Sequence, residues 1–224
     1  MRHWLATLLA LALFGTVSPS RAEDEHALIA LPADVMQFLG IYAAQDLGFW
    51  KSQGLEVKTQ LITGIGSFNA VIAGSADFSV SSAASLTRAA AKGQRMLAIA
   101  NMIDKPVWVI VVSKEIADAA HFDPKAPLAQ RAKILAGKKM SVDGINSVIH
   151  GYLKVIARAG GVDPESMTIA PLAPSETLAA FSRHAIDGFI NGPPWPQIAL
   201  QQGIGAHRPG ASRRGRRASR SARA

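Results

Sequence analysis

Five short segments of the 224-residue chain gather the residue types that hold small polar molecules: residues 32–38, 63–67, 81–85, 143–147 and 191–195. Each follows a short apolar run and precedes a helical pattern, so each is read as a loop leading from a strand into a helix. The amide N–H groups in the first turn of a helix have no intrahelical partner, and they point beyond the strand ends at whatever lies there. Sulfonate, carboxylate or nitrate oxygens would suit them. Ser67, Ser81, Ser82, Asn146, Ser147 and Asn191 can add side-chain hydrogen bonds, and Gly64 and Gly66 allow close approach of backbone. The same residue types also serve as helix N-caps and turn residues, so Ser67 and Ser147 carry both readings. Gln37, Phe38 and Trp195 are candidates for shape recognition, with core packing the competing fate of Phe38. Asp34 and Asp143 lie in loops that contain no Lys or Arg. A bare inorganic anion would meet these carboxylates unfavourably, which turns the expectation toward a solute carrying an amine or a polar heterocycle.

Catalysis finds little support in the same residues. The six histidines form no HExxH or other close ligand pair, and no G-x-S-x-G nucleophile elbow is present. With no cysteine in the chain, disulfides and cysteine-ligated metal are excluded. Neither a metal nor a cofactor is expected, and the chain is read as a binding protein.

The elements that must position these loops alternate in type. Strand patterns at 27–31, 55–62, 77–81 and 96–101 alternate with helical patterns at 39–47, 67–73 and 84–92, and Phe49 and Trp50 are read as core. After Pro106 a strand is expected over 107–113, followed by an irregular-looking stretch to 136. Alternation resumes with strands at 139–142, 167–170 and 186–190, and with helices at 147–159, 175–182 and 197–202. Such alternation implies βαβ units and mostly parallel sheets. An internal repeat points the same way: residues 67–93 align without gaps on 177–203, placing Asp77 on Asp187, Ala70 on Ala180 and Gly93 on Gly203. Two lobes are expected, 23–105 and 106–205, closing on a ligand by hinge bending near Asp104 to Val107.

Gly48-Phe49-Trp50, Gly54-Leu55-Glu56-Val57, the Gly64 to Ser67 loop, Ala73-Gly74 and Asp77-Phe78 follow one another in a familiar order. Together with LAGKKMSVDGINSVIHGYLKVIARAGG and AIDGFINGPPW further on, they resemble the solute-binding proteins of nitrate, taurine, alkanesulfonate and thiamine-precursor ABC importers. The resemblance runs from about residue 27 to 203. It implies a two-lobed periplasmic-binding-protein type II fold (α/β, each lobe a mostly parallel sheet flanked by helices) and a small organic ligand, sulfonate, taurine-like or pyrimidine-like, held between the lobes. It further implies a permease and ATPase complex as partner and a monomeric receptor that is not an enzyme. Pro193 stands where many members carry an acidic residue before the final Pro-Trp. A related branch makes a pyrimidine precursor in the cytoplasm with a cysteine-rich segment, absent here; transcription-factor effector domains share the fold but follow a helix-turn-helix.

The ends of the chain carry two further expectations. Arg2 precedes an apolar run that closes on Ser20-Arg21-Ala22, the pattern of a secretory signal peptide over 1–22, with cleavage before Glu23 and a periplasmic destination. Nine of the 24 Lys and Arg residues lie in that segment and in the last 17 residues, and the remaining 15 face 16 Asp and Glu between Glu23 and Ala206. The body is therefore nearly neutral, and no nucleic acid partner is expected. From about Ala206 onward the chain holds only His, Arg, Pro, Gly, Ala and Ser, without a large apolar residue to bury. Residues 206–224 are expected to lie outside the fold, as an Arg-rich disordered tail on a truncated or frameshifted receptor that the truncation leaves non-functional in one alternative; a natural basic tail that binds anionic lipid or nucleic acid is the rival reading.

Overall fold

The computed structural model describes residues 25–105 and 107–206; the signal-peptide segment and the chain beyond Ala206 lie outside the described residues. Eight strands and eight α-helices alternate in chain order among them: β1 (Glu25–Leu31), α1 (Leu39–Asp46), β2 (Leu55–Leu61), α2 (Gly66–Ile72), β3 (Phe78–Ser79), α3 (Ala83–Ala91), β4 (Val109–Ser113), α4 (Lys114–Ala119), α5 (Leu128–Ala132), β5 (Lys139–Val142), α6 (Val148–Ala159), β6 (Thr168–Pro171), α7 (Pro174–Ser182), β7 (Gly188–Asn191), α8 (Trp195–Gln201) and β8 (Gly205–Ala206).

These strands form two sheets, ordered β2-β1-β3 and β6-β5-β7-β4-β8. In the first, β1 runs parallel to both neighbours, with Glu25 opposite Leu55 and Leu31 opposite Leu61. In the second, β5 is parallel to β6 and β7, while β4 joins β7 in the antiparallel sense and β8 joins β4. The order β6-β5-β7 reproduces β2-β1-β3 element for element, which is the internal repeat expressed as topology. Its aligned carboxylates do the same work twice. Asp77 Oδ2 accepts the Leu28 N–H at 2.8 Å and Asp187 Oδ2 accepts the Lys139 N–H at 2.7 Å. The main-chain N–H of each Asp donates back to the carbonyl of the same residue, Leu28 or Lys139. The turn before each Asp needs a positive φ, supplied by Gly74 (73°) and by the aligned His184 (56°).

Helices bury the apolar stripes that their periods create. In α6, Ile149, Leu153 and Ala157 recur every four residues and pack with Met140, Val142 and Ile190, so the helix covers β5 and β7. Ser147 starts it by accepting the His150 N–H at 3.1 Å. Leu153 is fully buried, and cutting it to Ala would cost about 2–5 kcal/mol. On the other face of this sheet, Phe181 of α7 meets Phe189 of β7 edge to face at 5.1 Å, with Val111 and Ala199 in the same cluster. The first sheet is covered by a cluster of Leu31, Ala33, Val35, Phe38 and Ile41, into which Trp50 and Trp195 also pack.

Three expectations are corrected. Residues 96–101 form no strand: the whole stretch 94–103 has no regular structure, and Leu97 and Ile99 are 84% and 71% exposed. An apolar run becomes a strand only where a neighbouring edge takes its hydrogen bonds, and none of the described strands pairs with it. Phe49 is 58% exposed and leaves only its neighbour Trp50 packing against the core. Ala206, expected outside the fold, pairs with Val112 in β8. The irregular-looking stretch before residue 136 contains α4 and α5, and the remaining elements lie within about two residues of their expected positions.

Candidate functional site: loops at the strand ends

The segment 32–38 leaves β1 and closes with a 3-10 turn, Met36–Phe38. It lies against the segment that leaves β7. The Met36 N–H donates to the Pro193 carbonyl at 2.9 Å, and the Trp195 indole N–H donates to the Asp34 carbonyl at 2.8 Å. Gly192 permits this approach, because a Cβ there would overlap the Gln37 side-chain amide. The Pro193–Pro194 bond in this turn is cis. Asn191, only 2% exposed, holds the turn from inside, its Oδ1 accepting the Gly192 N–H at 2.9 Å. Phe38 is buried among Leu31, Val35 and Ile41 and belongs to the core.

A second meeting joins the segment leaving β2 to the one leaving β5. Gly64 has φ 59°, its N–H donates to the Pro32 carbonyl at 3.0 Å, and a Cβ there would stand 3.0 Å from both the Asp143 carbonyl oxygen and the Gly144 Cα. Gly66 opens α2. Ser67 is fully buried, its Oγ donating to the Gly64 carbonyl at 3.1 Å in the loop before α2 and accepting from the Ser79 hydroxyl at 3.4 Å. Ser147 caps α6 and donates its hydroxyl to Asp143 Oδ1 at 2.6 Å. Asn146 adopts φ 63°, which turns its main-chain N–H onto His150 Nδ1 at 3.0 Å. The Asn146 side chain is exposed.

Ser81 and Ser82 stand apart from these two meetings. Ser82 caps α3 by accepting the Ser85 N–H at 3.2 Å, and its hydroxyl lies 3.2 Å from that of Ser85. Ser81 is exposed. Beside them is a residue that the loop-by-loop reading of the sequence passed over: the Arg88 guanidinium reaches back one turn to donate to Ser85 Oγ at 3.2 Å.

Three buried side-chain atoms lack a hydrogen-bond partner among the described residues: Asp34 Oδ1, Gln37 Oε1 and His150 Nε2. Burial pushes the Asp34 carboxyl above its usual range, only partly offset by a backbone hydrogen bond. Tyr42 is raised as well, first by its own burial and then by the nearby Asp34 charge. Asp143 is raised by burial in spite of the Ser147 hydroxyl it accepts. His150 is lowered, first by burial and then by the Lys154 charge. With Nδ1 accepting a backbone N–H, the neutral His150 ring carries its proton on Nε2. His150 and Tyr42 were not legible as site residues, because a lone His or Tyr on a helix has no spacing that marks it.

The arrangement brings loops from the ends of β1 and β2 against loops from β5 and β7, with the buried acceptors Asp34 Oδ1 and Gln37 Oε1 and the His150 Nε2 donor left unpaired among the described residues. No group of three or more His, Cys, Asp or Glu among the described residues could hold a metal. A cavity of about 70 Å³, lined by Ile110, Val112, Leu135 and Ile156, lies behind the second sheet and away from these loops.

The profile of the family described as NMT1/THI5 like matches residues 35–203, most of the described chain. The chain belongs to this family. Among solved structures, the NMT1/THI5-like chain is similar to a protein of Bordetella bronchiseptica RB50, with 23% identity, TM-score 0.68, and coverage of 82% of this chain and 56% of that one. It is also similar to the alkanesulfonate-binding protein SsuA of Xanthomonas axonopodis pv. citri, solved bound to MOPS, with 18% identity, TM-score 0.61, and coverage of 83% and 60%. A third relative is the periplasmic nitrate-binding protein NrtA of Synechocystis PCC 6803, with 18% identity, TM-score 0.62, and coverage of 82% and 50%. The fold is thus of the periplasmic-binding-protein type, and the NMT1/THI5-like chain spans less than two thirds of the length of these structures. None of the curated proteins compared with it matches.

Proposed function

We propose that this NMT1/THI5-like chain is the substrate-binding component of an ABC importer, which captures a small organic solute in the cleft between two lobes and has no enzymatic activity. The sulfonate, taurine-like and pyrimidine-like classes fit it. One lobe is built on residues 23–105 and the other on 106–205, and they close by bending near Asp104 to Val107. The observation that carries the reading is the double meeting of strand-end loops, Asp34 and Gln37 on the 191–195 turn and Gly64 on Gly144. In parallel α/β sheets the ligand crevice lies beyond the carboxyl ends of the strands, and these loops sit there on both sheets. The partners are a permease and ATPase complex at the membrane, and the destination is the periplasm. No helix among the described residues is long and apolar enough to cross a membrane.

A melting-temperature screen of the purified protein tests the reading. A bound solute at 100 times its dissociation constant adds about 2.7 kcal/mol to stability. Fractionation of the native-type host tests the location. A cytoplasmic product that retains residues 1–22 would sink the receptor assignment.

A further inference from the structure

The two sheets share a repeated unit, and only one of them is completed. In the second sheet β4 lies beside β7 and β8 beside β4, each joined in the antiparallel sense, so β8 runs parallel to β7. The first sheet stops at β3, the counterpart of β7, which pairs on one side only. The chain nevertheless leaves α3 as it leaves α8. The Gly93 and Gln94 N–H groups donate to the Ala90 and Ala89 carbonyls, as those of Gly203 and Ile204 donate to Leu200 and Ala199, and both glycines have positive φ, 75° and 70°. β8 begins two residues after Gly203, so the aligned stretch begins at Arg95.

That stretch has the groups for pairing and no partner. The main chain of 95–103 makes no backbone hydrogen bond among the described residues, and Leu97, Ile99 and Met102 are exposed, as is Phe78 of β3. Bare edges of this kind recruit another strand. The first sheet lacks a strand equivalent to β4, between β3 and this stretch. β4 begins 16 residues after Gly93, and the same count past Gly203 reaches residues 219–223. Their sequence SRSAR offers no large apolar side chain, where β4 reads VIVVS. Residues 96–101, MLAIAN, are apolar at every position but the last, as a strand covered on both faces requires.

We propose that a second copy of this chain supplies the missing strand, in place of the monomer that the family resemblance implies. Residues 96–101 of each copy enter the other's first sheet, antiparallel between its β3 and its own 96–101. Both senses repeat those of β4 between β7 and β8, and each host stretch then runs parallel to its β3, as β8 does to β7. One twofold axis satisfies both copies at once, because giving a strand and receiving one are the same contact seen from either side. The two three-stranded sheets become one continuous sheet of eight, with one central strand from each copy. Covering Leu97, Ile99, Met102 and Phe78 in both copies removes roughly 900 Å² of side-chain surface, close to the threshold of about 1,000 Å² for a specific interface, and the main chain of the two new strands adds to it. No loop of the candidate site takes part, so the dimer stands or falls apart from the receptor assignment.

Sedimentation velocity and hydrogen exchange on the full chain test this. At about 100 μM, well above a micromolar dissociation constant, the chain should sediment as a dimer and as nothing larger, and dilution should return the monomer. The amides of 96–101 should exchange at least tenfold more slowly in the dimer than in the monomer, because they gain hydrogen bonds there. Ile99→Asp, at an exposed position of the monomer, should raise the dissociation constant at least tenfold and leave the monomer's melting temperature where it was. Val155→Asp, which puts the same charge on an exposed apolar site of α6, should leave dimerisation intact. A chain that stays monomeric at that concentration, a larger assembly, a dimer in which 96–101 exchanges as fast as in the monomer, or one that the two variants weaken equally would each overturn the proposal.

Discussion

The Trp195 indole N–H and the Asp34 main-chain carbonyl, 161 residues apart in sequence, meet at 2.8 Å. One ring thereby both packs into the cluster over the first sheet and ties it to the turn leaving the second. Trp195→Phe keeps an aromatic ring and removes the donor. Leaving the carbonyl unpaired should lower stability by about 1–3 kcal/mol in chemical denaturation. An unchanged midpoint would mean that water replaces the indole. Trp195→Ala, which loses the ring as well, should weaken solute binding at least tenfold, about 1.4 kcal/mol.

Gly64→Ala should separate the loops. The substitution meets two obstacles, a backbone at φ 59° and a contact of 3.0 Å with Asp143 and Gly144. Gly74→Ala is the control, with φ 73° and nothing within 4 Å of the added carbon. Both variants should lose about 1 kcal/mol to backbone strain, but only Gly64→Ala should lose solute affinity, by more than tenfold. Equal affinity in the two would remove the Gly64–Gly144 contact from the binding mechanism.

Asp143 should make the protein less stable as pH rises through the carboxylate range. Burial holds its carboxyl above the usual carboxylate range in the folded state. The neutral carboxyl is thus favoured in the folded state, and its contribution is full below the unfolded pKa and lost as pH climbs through the folded one. Asp34 acts in the same sense. Asp143→Asn should flatten this fall, while keeping an acceptor for the Ser147 hydroxyl. Thermal melts between about pH 3 and 7 read the slope directly.

His150 works in the opposite sense. Its pKa is lowered from 6.5, chiefly by burial, so its contribution is full above the unfolded value and is lost as pH falls through the folded one. Protonation also replaces the lone pair on Nδ1 that accepts the Asn146 N–H, so the loop carrying Ser147 and Asp143 is where the loss should be felt. His150→Gln should reduce the acid sensitivity seen between neutral pH and the carboxylate range. Equal slopes in parent and variant would exclude His150 as its source.

The repeat was the most legible part of the fold. Asp77 and Asp187 could be aligned from sequence because a carboxylate that holds the start of a neighbouring strand is needed once per unit, and the positive-φ turn before it is marked by Gly74. The candidate loops were legible as loops, and the structure brings four of the five into pairs. What stayed hidden depends on partners. Serine at 67, 82 and 147 looks the same whether it holds a ligand or caps a helix, and all three turn out to be occupied locally. The packing of Gln37 on Gly192 joins residues whose nearness no local pattern could reveal.

Leu97 and Ile99 show the same dependence from the other side, since alternating apolar residues read as a strand while the structure leaves both exposed. Leu97→Ser and Ile99→Ser should each change the unfolding free energy of the monomer by less than about 0.5 kcal/mol, the usual range for surface positions. A loss above about 2 kcal/mol would show that these side chains are buried within the monomer.

The position of β4 in the second sheet has a consequence for the order of assembly. β1, β2 and β3 find one another within residues 25–79, so their sheet can close early and locally. β4 cannot do so: Val109 waits for Asn191, and Val112 waits for Gly188 and Ala206. Contacts of such long sequence separation form slowly. Until β7 arrives, a strand of four hydrophobic residues and one serine, VIVVS, stands with both edges bare, the kind of segment that pairs with other chains. As the protein emerges during synthesis, β4 is thus the stretch with the longest wait for its neighbours, and a folding helper would have most to protect there.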